Sequence, residues 1–310
     1  MYAALDAPVA VVAHDAGAAN HIFAWLRTSG HPNIIPCLAG PALTLWKQEY
    51  GKHPQTELAD AVAGSKTLLS GTGWASHVEH DARRLARQLG IKSIAVIDHW
   101  TNYRERFIRD GHEVLPDEIW VSDAYAREMA ETIFPNIKIV QQPNAYLAYL
   151  VSEVERIEQS GTPEADDRLL YVLEPIRQAW GDSELAGEFA ALDYFVENLH
   201  CLQLGKDVQI RLRPHPSDPT GKYDQWIRKQ GNPNIMLDCA PTLAESLAWS
   251  TLVAGCQTYA MVTALAAGRK VICSIPPWAP PCVLPHPEII KLSALIPPTF
   301  SDQNVKNESR

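Results

Sequence analysis

The stretch Pro8-Val-Ala-Val-Val-Ala-His-Asp-Ala-Gly17 decides the fold class of this chain. Its first six residues form a continuous apolar run, which is typical of a β-strand buried on both faces of a parallel sheet. The polar turn at 14–17 ends the strand, and the alanine-rich segment 18–27 that follows has helical character. This order predicts one βα unit of an α/β domain.

The same order of elements repeats along the chain. Further strands are predicted at 33–37, 66–69, 93–97, 118–122, 137–140, 169–173, 207–212, 235–237, 251–254 and 270–274. Helices are predicted at 75–89, 124–133, 183–200, 223–230, 242–249, 259–267 and near 287–295. Alternating strands and helices predict parallel sheets that are covered on both faces.

A polar segment with Gly and Pro, at 159–167, interrupts the alternation of strands and helices and is the best candidate for a linker between two domains. We therefore predict two Rossmann-like parallel-sheet domains that face each other across a cleft, a GT-B-like arrangement. The first covers residues 1–160 and the second covers 166–275. Residues 276–310 would form a proline-rich crossing segment and a C-terminal helix, with a frayed tail from Ser301. Ligands should bind beyond the carboxyl ends of the strands.

Length, charge and cysteine content narrow the class of protein. The chain has 310 residues, a net charge of −9, 46% hydrophobic and 20% charged residues. This balance argues against a nucleic-acid binder, because phosphate binding needs clustered Lys and Arg. Neither a run of ~18 apolar residues nor a signal-peptide layout is present, so we expect a cytoplasmic protein. The six scattered cysteines, without C-x-x-C, predict free buried thiols.

Two polar turns of the first half are candidate sites. His14, Asp15 and Gly17 follow the first strand, where Asp15 could accept a proton and Gly17 could let the backbone approach a ligand. The alternative is that Asp15 only caps the next helix. The second turn, Ser70-Gly-Thr-Gly-Trp-Ala-Ser76, offers an anion cradle from Gly71, Thr72, Gly73 and Ser76. Its alternative is a capping box of Ser76 with Glu79, and it lacks the Gly-Lys-Ser/Thr of a P-loop.

A polar and aromatic stretch follows the strand at 93–97. It is predicted to recognise a sugar or acidic acceptor through Asp98, His99, Trp100, Asn102, Tyr103 and Arg106. Alternatively, its Trp and Tyr only cover the sheet edge. His77 and His80 lie on one helix but lack a third ligand, so we expect no metal site there.

The sharpest motif is Arg211-Leu-Arg-Pro-His-Pro216, at the end of a strand. The flanking prolines hold His215 rigid, and Arg211 and Arg213 share a face of the strand. A rigid His beside Arg suits a phosphate group, as hydrogen-bond donor or general acid. The alternative is a buried structural histidine. Gly255 and Thr258, before a later helix, predict a second phosphate seat.

With His-Pro after one strand and Gly-x-x-Thr after a later one, residues 205–275 resemble bacterial GT-B glycosyltransferases. The nearest families use CMP-activated acidic sugars: sialyl, polysialyl and capsule Kdo transferases. The resemblance implies that Asp15 deprotonates the acceptor, that His215 and Pro216 face the donor phosphate, and that Gln257-Thr258 is the hydroxyl pair. The chain departs from the family at Ala16, an extra residue before the glycine, and at Gln257, where Ser is expected. Transferases that use CDP-glycerol carry a related His-Pro segment.

The sequence thus predicts a glycosyltransferase that moves a sugar from a nucleotide-activated donor to a hydroxyl acceptor, in surface polysaccharide or glycoconjugate synthesis. A CMP-linked acidic sugar is the donor that the resemblance implies, and no metal or other cofactor is expected. Two alternatives stay open. One is an epimerase or hydrolase of the UDP-GlcNAc 2-epimerase type, and the other is a non-catalytic GT-B-like binding protein.

Overall fold

The structure, a computed structural model, describes residues 5–30, 33–51, 55–161, 167–177, 179–180, 185–205 and 207–297. The chain divides into two compact units between Tyr149 and Leu150. We call them unit 1 and unit 2 and describe each by itself. Among the described residues, no helix has the length and apolar character needed to cross a membrane.

Unit 1 is a parallel sheet with helices on its faces. Its strands are β1 (Val9–Ala13), β2 (Ile34–Leu38), β3 (Thr67–Ser70), β4 (Lys92–Val96), β5 (Ile108–Arg109), β6 (His112–Glu113), β7 (Glu118–Val121) and β8 (Lys138–Gln141). Its helices are α1 (Ala16–Ser29), α2 (Gly40–Tyr50), α3 (Leu58–Ala63), α4 (Val78–Leu89), α5 (Ala124–Ile133) and α6 (Ala145–Gln159), which continues into unit 2. The sheet order is β2-β1-β3-β4-β7-β8, and β5 and β6 form a separate antiparallel hairpin.

Strand β1 forms the centre of the unit 1 core. All five of its residues are 0% exposed. Val9 and Val11 belong to a cluster on one face with helix α1, and Ala10 and Val12 belong to a second cluster with helices α3 and α4. An uninterrupted apolar strand is stable only where both faces are covered, which confirms the interpretation of residues 8–13.

Unit 2 has a second parallel sheet. Its strands are β9 (Arg168–Val172), β10 (Gln209–Arg213), β11 (Ile235–Leu237), β12 (Leu252–Gly255), β13 (Lys270–Cys273) and β14 (Ile290–Lys291). Its helices are α7 (Gly187–Glu197), α8 (Asp224–Gln230), α9 (Leu243–Trp249) and α10 (Tyr259–Ala266). The sheet order β11-β10-β9-β12-β13-β14 is the order of a dinucleotide-binding Rossmann sheet, whereas unit 1 has the flavodoxin-like order. The predicted α/β class with two Rossmann-like parallel sheets is confirmed.

Several predicted boundaries need correction. Helix α4 begins at Val78 rather than residue 75, and helices α2, α3 and α6 were not predicted. The last predicted helix is wrong: residues 290–291 form strand β14, and a short 3-10 turn follows at Leu292–Ala294. Residues 162–166 of the predicted linker, residues 183–184 of a predicted helix and the tail from Ser301 lie outside the described residues.

Candidate functional site

The polar residues of unit 1 gather at one edge of its sheet. The strand order changes direction between β1 and β3, and open α/β sheets bind ligands beyond the carboxyl ends of the strands at such a point. His14 and Asp15 follow β1, the loop 71–74 follows β3, and Asp98 follows β4. Because these three strands are neighbours, the predicted residues do lie at a common edge.

His14 and Asp15 form a hydrogen-bonded pair. The Nδ1 atom of His14 lies 2.6 Å from Asp15 Oδ1, and Asp15 Oδ2 accepts the backbone N–H of Trp74 at 2.9 Å. Because a carboxylate only accepts, Nδ1 carries the proton of the neutral imidazole and Nε2 presents a lone pair. The alternative that Asp15 caps α1 is wrong, since its side chain makes no capping bond. Asp15 therefore orients His14.

The space beside this imidazole depends on Gly40. The residue has a φ of +49°, in the left-handed region that favours glycine. A Cβ at this position would lie 2.5 Å from His14 Nε2. A side chain at position 40 would therefore fill the volume that a partner of Nε2 needs.

An exposed aromatic ring stands beside the pair. Trp74 is 50% exposed, and the guanidinium carbon of Arg109 lies 5.6 Å from its ring centre. Arg109 also donates from Nη2 to the carbonyl of Gly73, which ties the 71–74 loop to the β5–β6 hairpin. An accessible indole face can stack on a sugar or a base.

Gly17 and Gly73, two glycines predicted to lie against a ligand, make room for carboxyl groups of unit 1. A Cβ at Gly17 would lie 1.7 Å from Asp98 Oδ2, and a Cβ at Gly73 would lie 2.3 Å from Asp15 Oδ2. No side chain can occupy either position without moving a carboxylate. Gly17 and Gly73 therefore each make room for a side chain of unit 1, and backbone contact with a ligand at these two positions stays a prediction.

Asp98 is held by residues that were predicted to bind the acceptor. Its Oδ1 lies 2.7 Å from Arg106 Nη1, which also donates to Thr72 Oγ1 at 3.2 Å. Burial raises the pKa of Asp98, but Arg106 and neighbouring histidines more than offset this, so the pKa is lowered and the carboxyl stays ionised. Arg106 and Thr72 are 5% and 1% exposed. We therefore correct their role to positioning Asp98.

The aromatic residues of the stretch after β4 are mostly interior. Trp100 and Tyr103 are 3% and 2% exposed, and the Trp100 indole donates to Asp123 at 3.1 Å. Both rings are interior in unit 1, which favours the alternative that they cover the sheet edge over stacking on a ligand. His99 is half-buried and Asn102 is exposed at the same edge.

Glu79 is a buried carboxyl and not a helix cap. It is 1% exposed, and its Oε1 accepts the backbone N–H of His14 at 2.9 Å, so the predicted capping box with Ser76 is wrong. Its Oε2 has no hydrogen-bond partner among the described residues. Burial is the main reason that its pKa is raised. A Cβ at Gly71 would lie 3.0 Å from Glu79 Oε1, so this third glycine also serves carboxyl packing.

In unit 2, the His-Pro turn is held by a buried charge network. Asp218 Oδ2 accepts the backbone N–H of His215 at 3.0 Å and the hydroxyl of Tyr223 at 2.9 Å. Lys222 Nζ lies 2.6 Å from Asp218 Oδ1 and 2.5 Å from Glu188 Oε1. These bonds fix the turn in addition to the two prolines.

The hydrogen bonds of His215 define its tautomer. The backbone N–H of Ser217 donates to Nδ1 at 3.2 Å, so Nδ1 is an acceptor and the neutral ring carries its proton on Nε2. Burial lowers the pKa of His215, with Arg177 and Lys222 adding to the effect and Asp218 opposing it. The ring is half-buried, not buried as the structural alternative requires. It presents an N–H donor.

Arg213 is engaged inside unit 2. Its Nη1 lies 2.6 Å from Asp238 Oδ2 and 2.7 Å from Ser246 Oγ. The Asp238 side chain is 0% exposed, so Arg213 supplies the charge that this buried carboxylate needs. Arg211 faces Asp238 from 4.0 Å and stacks on Trp249, which confirms that the two arginines share a face. Arg213 thus has a supporting role inside unit 2, and its binding of phosphate stays a prediction.

The strand order of unit 2 changes direction between β9 and β12, and a carboxyl group occupies that point. Glu174 follows β9, and its Oε2 accepts the backbone N–H of Gln257 at 3.0 Å. Burial raises the pKa of Glu174. The Gln257 amide oxygen accepts the backbone N–H of Val283 at 3.3 Å, so Gln257 links Glu174 to the proline-rich segment.

Gly255 and Thr258 stand beside it. A Cβ at Gly255 would lie 2.8 Å from the carbonyl oxygen of Val172, so this glycine serves strand packing, and its contact with phosphate stays a prediction. Thr258 is the N-cap of α10, and its hydroxyl accepts from the backbone of Ala260. The hydroxyl proton of Thr258 can still be donated to an anion.

His77, the N-cap residue of α4, and His80, within α4, have different partners. His77 is exposed and lies 3.7 Å from Asp110, whereas His80 Nε2 lies 3.1 Å from the carbonyl of His112. In the part of the chain that the structure describes, no three His, Cys, Asp or Glu side chains are grouped closely enough to hold a metal ion.

No protein-family model and no curated protein matches this chain. Solved structures do. The UDP-GlcNAc 2-epimerase from Neisseria meningitidis bound to UDP-GlcNAc matches with a TM-score of 0.56 and 13% identity, over 86% of this chain and 82% of that one. The S. aureus MnaA–UDP complex matches with a TM-score of 0.57 and 9% identity, over 86% of this chain and 78% of that one. The wall teichoic acid polymerase TagF matches with a TM-score of 0.50 and 14% identity, over 86% of this chain and 70% of that one.

These likenesses show a GT-B-like fold. At such identities they show the fold alone, so the roles of the residues depend on their own geometry. Sequence reasoning did not assign Trp74, Glu79, Glu174 or Asp218 to the site. Trp74 lies inside the predicted cradle, and Glu174 follows a strand as Asp15 does, so both carried a usable signal. Glu79 carried none, because its partner is 65 residues away.

Proposed function

We propose that this chain is a glycosyl-type transferase that moves a sugar from a nucleotide-activated donor to a hydroxyl acceptor, in the synthesis of a surface polysaccharide or glycoconjugate. Unit 2 binds the donor nucleotide, and unit 1 supplies the base. One observation carries the proposal: two strand-end imidazoles have opposite tautomers. His14 Nε2 accepts a proton, and His215 Nε2 donates a hydrogen bond.

In unit 1, His14 takes the proton of the acceptor hydroxyl as that oxygen attacks the anomeric carbon. Asp15 holds the ring and stabilises the imidazolium that forms. The proposal moves the base from Asp15, the residue predicted from the sequence, to His14, because both Asp15 oxygens already accept hydrogen bonds. The exposed face of Trp74 is the stacking surface for the acceptor.

In unit 2, the His215 N–H and the Thr258 hydroxyl hydrogen-bond the phosphate that leaves with the nucleotide. Donors fixed before the reaction stabilise developing negative charge without reorganisation. Thr258 is also at the N-terminus of α10, where the helix dipole favours an anion. The first donor to test is a CMP-linked acidic sugar, from the His-Pro resemblance. The proposal uses no metal ion or cofactor.

A second candidate is a nucleotide-sugar epimerase or hydrolase. The observation that favours it is Glu174, a carboxyl with a raised pKa at the switch point of unit 2, which suits proton transfer on a bound donor. Two of the solved structures with this fold are a UDP-GlcNAc 2-epimerase bound to UDP-GlcNAc and the S. aureus MnaA–UDP complex.

Product analysis separates the two candidates. The protein is incubated with CMP-, CDP-, UDP-, GDP- and ADP-linked sugars, with and without oligosaccharide acceptors. A transferase consumes donor only when an acceptor is present, apart from slow hydrolysis, whereas an epimerase or hydrolase consumes donor alone. A nucleotide at a concentration of 100 times its Kd should stabilise the folded protein by about 2.7 kcal/mol. A thermal-shift screen with the five nucleotides therefore selects the donor class. Binding without turnover would favour the non-catalytic alternative.

Substitutions test the two imidazoles. His14→Ala and His215→Ala should each lower turnover by about 10² or more while the fold is kept. Asp15→Asn should also lower turnover, because it no longer fixes the tautomer of His14. His77→Ala is the matched control, since that histidine is 56% exposed and lies outside this cluster. Turnover in His14→Ala or His215→Ala equal to that of the control removes the mechanism.

A further inference from the structure

Two thiols of unit 2 meet at one backbone oxygen. Cys273 ends strand β13, and Cys282 lies in the proline-rich segment after it. The carbonyl oxygen of Cys256 accepts from Cys273 Sγ at 3.2 Å and from Cys282 Sγ at 3.6 Å. Segments nine residues apart therefore bring two thiols to the same carbonyl oxygen.

The surroundings of the two thiols differ in the way that a reactive pair requires. Cys273 is 3% exposed, whereas Cys282 is half-buried. The neighbouring Cys273 is the largest cause that lowers the pKa of Cys282; Lys291 adds to the effect, whereas burial and the Glu174 carboxyl oppose it. Cys282 and burial in turn raise the pKa of Cys273. Of the two, Cys282 is thus the thiol that loses its proton more readily.

Small molecules have room to reach the pair. Two cavities of about 250 Å³ and 330 Å³ adjoin it, and Cys273, Cys282 and Lys291 line both of them. The other walls come mainly from apolar residues and prolines of the segment after β13. An ammonium group beside a thiolate in an open cavity stabilises the attacking sulfur.

We propose that Cys273 and Cys282 form a thiol-modification site that small disulfides oxidise reversibly to a Cys273–Cys282 disulfide. The site is independent of the proposed transferase function. It also revises the sequence expectation of free buried thiols. All six cysteines are free, but Cys256 and Cys273 are the two that are buried, and Cys239 is exposed.

The reaction balances in two exchanges. The Cys282 thiolate attacks one sulfur of the small disulfide, forms a mixed disulfide and releases the first small thiolate. Cys273 then loses its proton to solvent and attacks the Cys282 sulfur, which releases the second small thiolate. The protein dithiol is oxidised by two electrons, and the small disulfide is reduced to two thiols. Excess small thiol reverses both steps.

Peptide mapping of the full chain tests the proposal. The reduced protein is treated with limiting oxidised glutathione, quenched with an alkylating agent and digested without reductant. The first intramolecular disulfide should join Cys273 to Cys282, with a loss of two hydrogen atoms from the protein mass, and dithiothreitol should restore both thiols. A first disulfide between other cysteines, or a stable glutathione adduct on Cys282 with Cys273 still free, would overturn the proposal.

Variants separate the two steps. Cys273→Ser should stop at a glutathione adduct on Cys282, and Cys282→Ser should lose both the adduct and the disulfide at this site. Cys239→Ser is the control, because it removes the exposed thiol and should leave the Cys273–Cys282 disulfide unchanged. Circular dichroism shows whether each variant folds, and the mapping of the unsubstituted chain needs no variant at all. Loss of the disulfide in Cys239→Ser would contradict the assignment.

Discussion

Gly17→Ala tests the packing that places Asp98 at the edge of the unit 1 sheet. The new methyl group would lie 1.7 Å from Asp98 Oδ2 and 2.8 Å from its Cγ, far inside contact distance. Asp98 must therefore rotate or move away. Its ion pair with Arg106, at 2.7 Å, breaks when it does so.

The expected cost follows from these contacts. Overpacking of a filled site costs about 1–3 kcal/mol. An Arg106 guanidinium that is 5% exposed and loses its partner adds to this, because breaking a buried pair costs about 3–5 kcal/mol. Relaxation of Asp98 to a new position recovers part of the sum, so we expect a loss of roughly 3 kcal/mol in the unfolding free energy of unit 1.

Hydrogen exchange of the β1 and β4 peptides, followed by mass spectrometry, measures the opening of unit 1 without a two-state assumption for the whole chain. The decisive comparison is a double-mutant cycle with Asp98→Ala. The Cβ of residue 98 is 3.5 Å from the new methyl group, an ordinary contact, so Asp98→Ala relieves the clash. Gly17→Ala should then cost about 2 kcal/mol less in that background.

Gly205→Ala is the matched control. Its nearest neighbour would be Asp167 Oδ2 at 3.5 Å, so the change should be within about 0.5 kcal/mol of neutral. Two results would refute the reasoning: a Gly17→Ala protein as stable as the control, or a cost that is equal with and without the Asp98 carboxyl. Either would mean that the methyl group does not meet Asp98.

Four further substitutions test the electrostatics and the capping. Burial raises the pKa of Glu79 in the folded protein above its unfolded pKa of 4.5. Its contribution to the unfolding free energy is therefore present below pH 4.5 and is lost as the pH rises through the folded pKa. Urea titrations at several pH values should show that Glu79→Gln removes this part of the loss of stability. Arg213→Ala should destabilise unit 2 by about 3–5 kcal/mol in hydrogen exchange, because Asp238 is left buried without its charge partner, and Arg211→Ala should cost clearly less. Thr242→Ala removes the capping box of α9 and should cost about 1 kcal/mol by the same measurement; no change would show that the cap is dispensable.

Part of the candidate site could be predicted from the sequence and part could not. The turns after β1, β3 and β10 were predictable, because a polar turn after an apolar strand marks the carboxyl edge of a parallel sheet. What each side chain does there was not. Gly17 was predicted to admit a ligand, and the structure adds that it makes room for Asp98. Arg213 was predicted to bind phosphate, and the structure adds that it neutralises Asp238, 25 residues further on.

The amino-acid sequence by itself determined the α/β class and most of the strands, because apolar runs and helical spacing are local properties that each segment carries alone. Only the tertiary structure decided which polar groups meet. Parallel strands bring together residues that are far apart in the chain, such as His14 and Glu79, and no local pattern records the partner. The tautomers of His14 and His215 depend on such hydrogen bonds, and the chemistry that we propose depends on these tautomers.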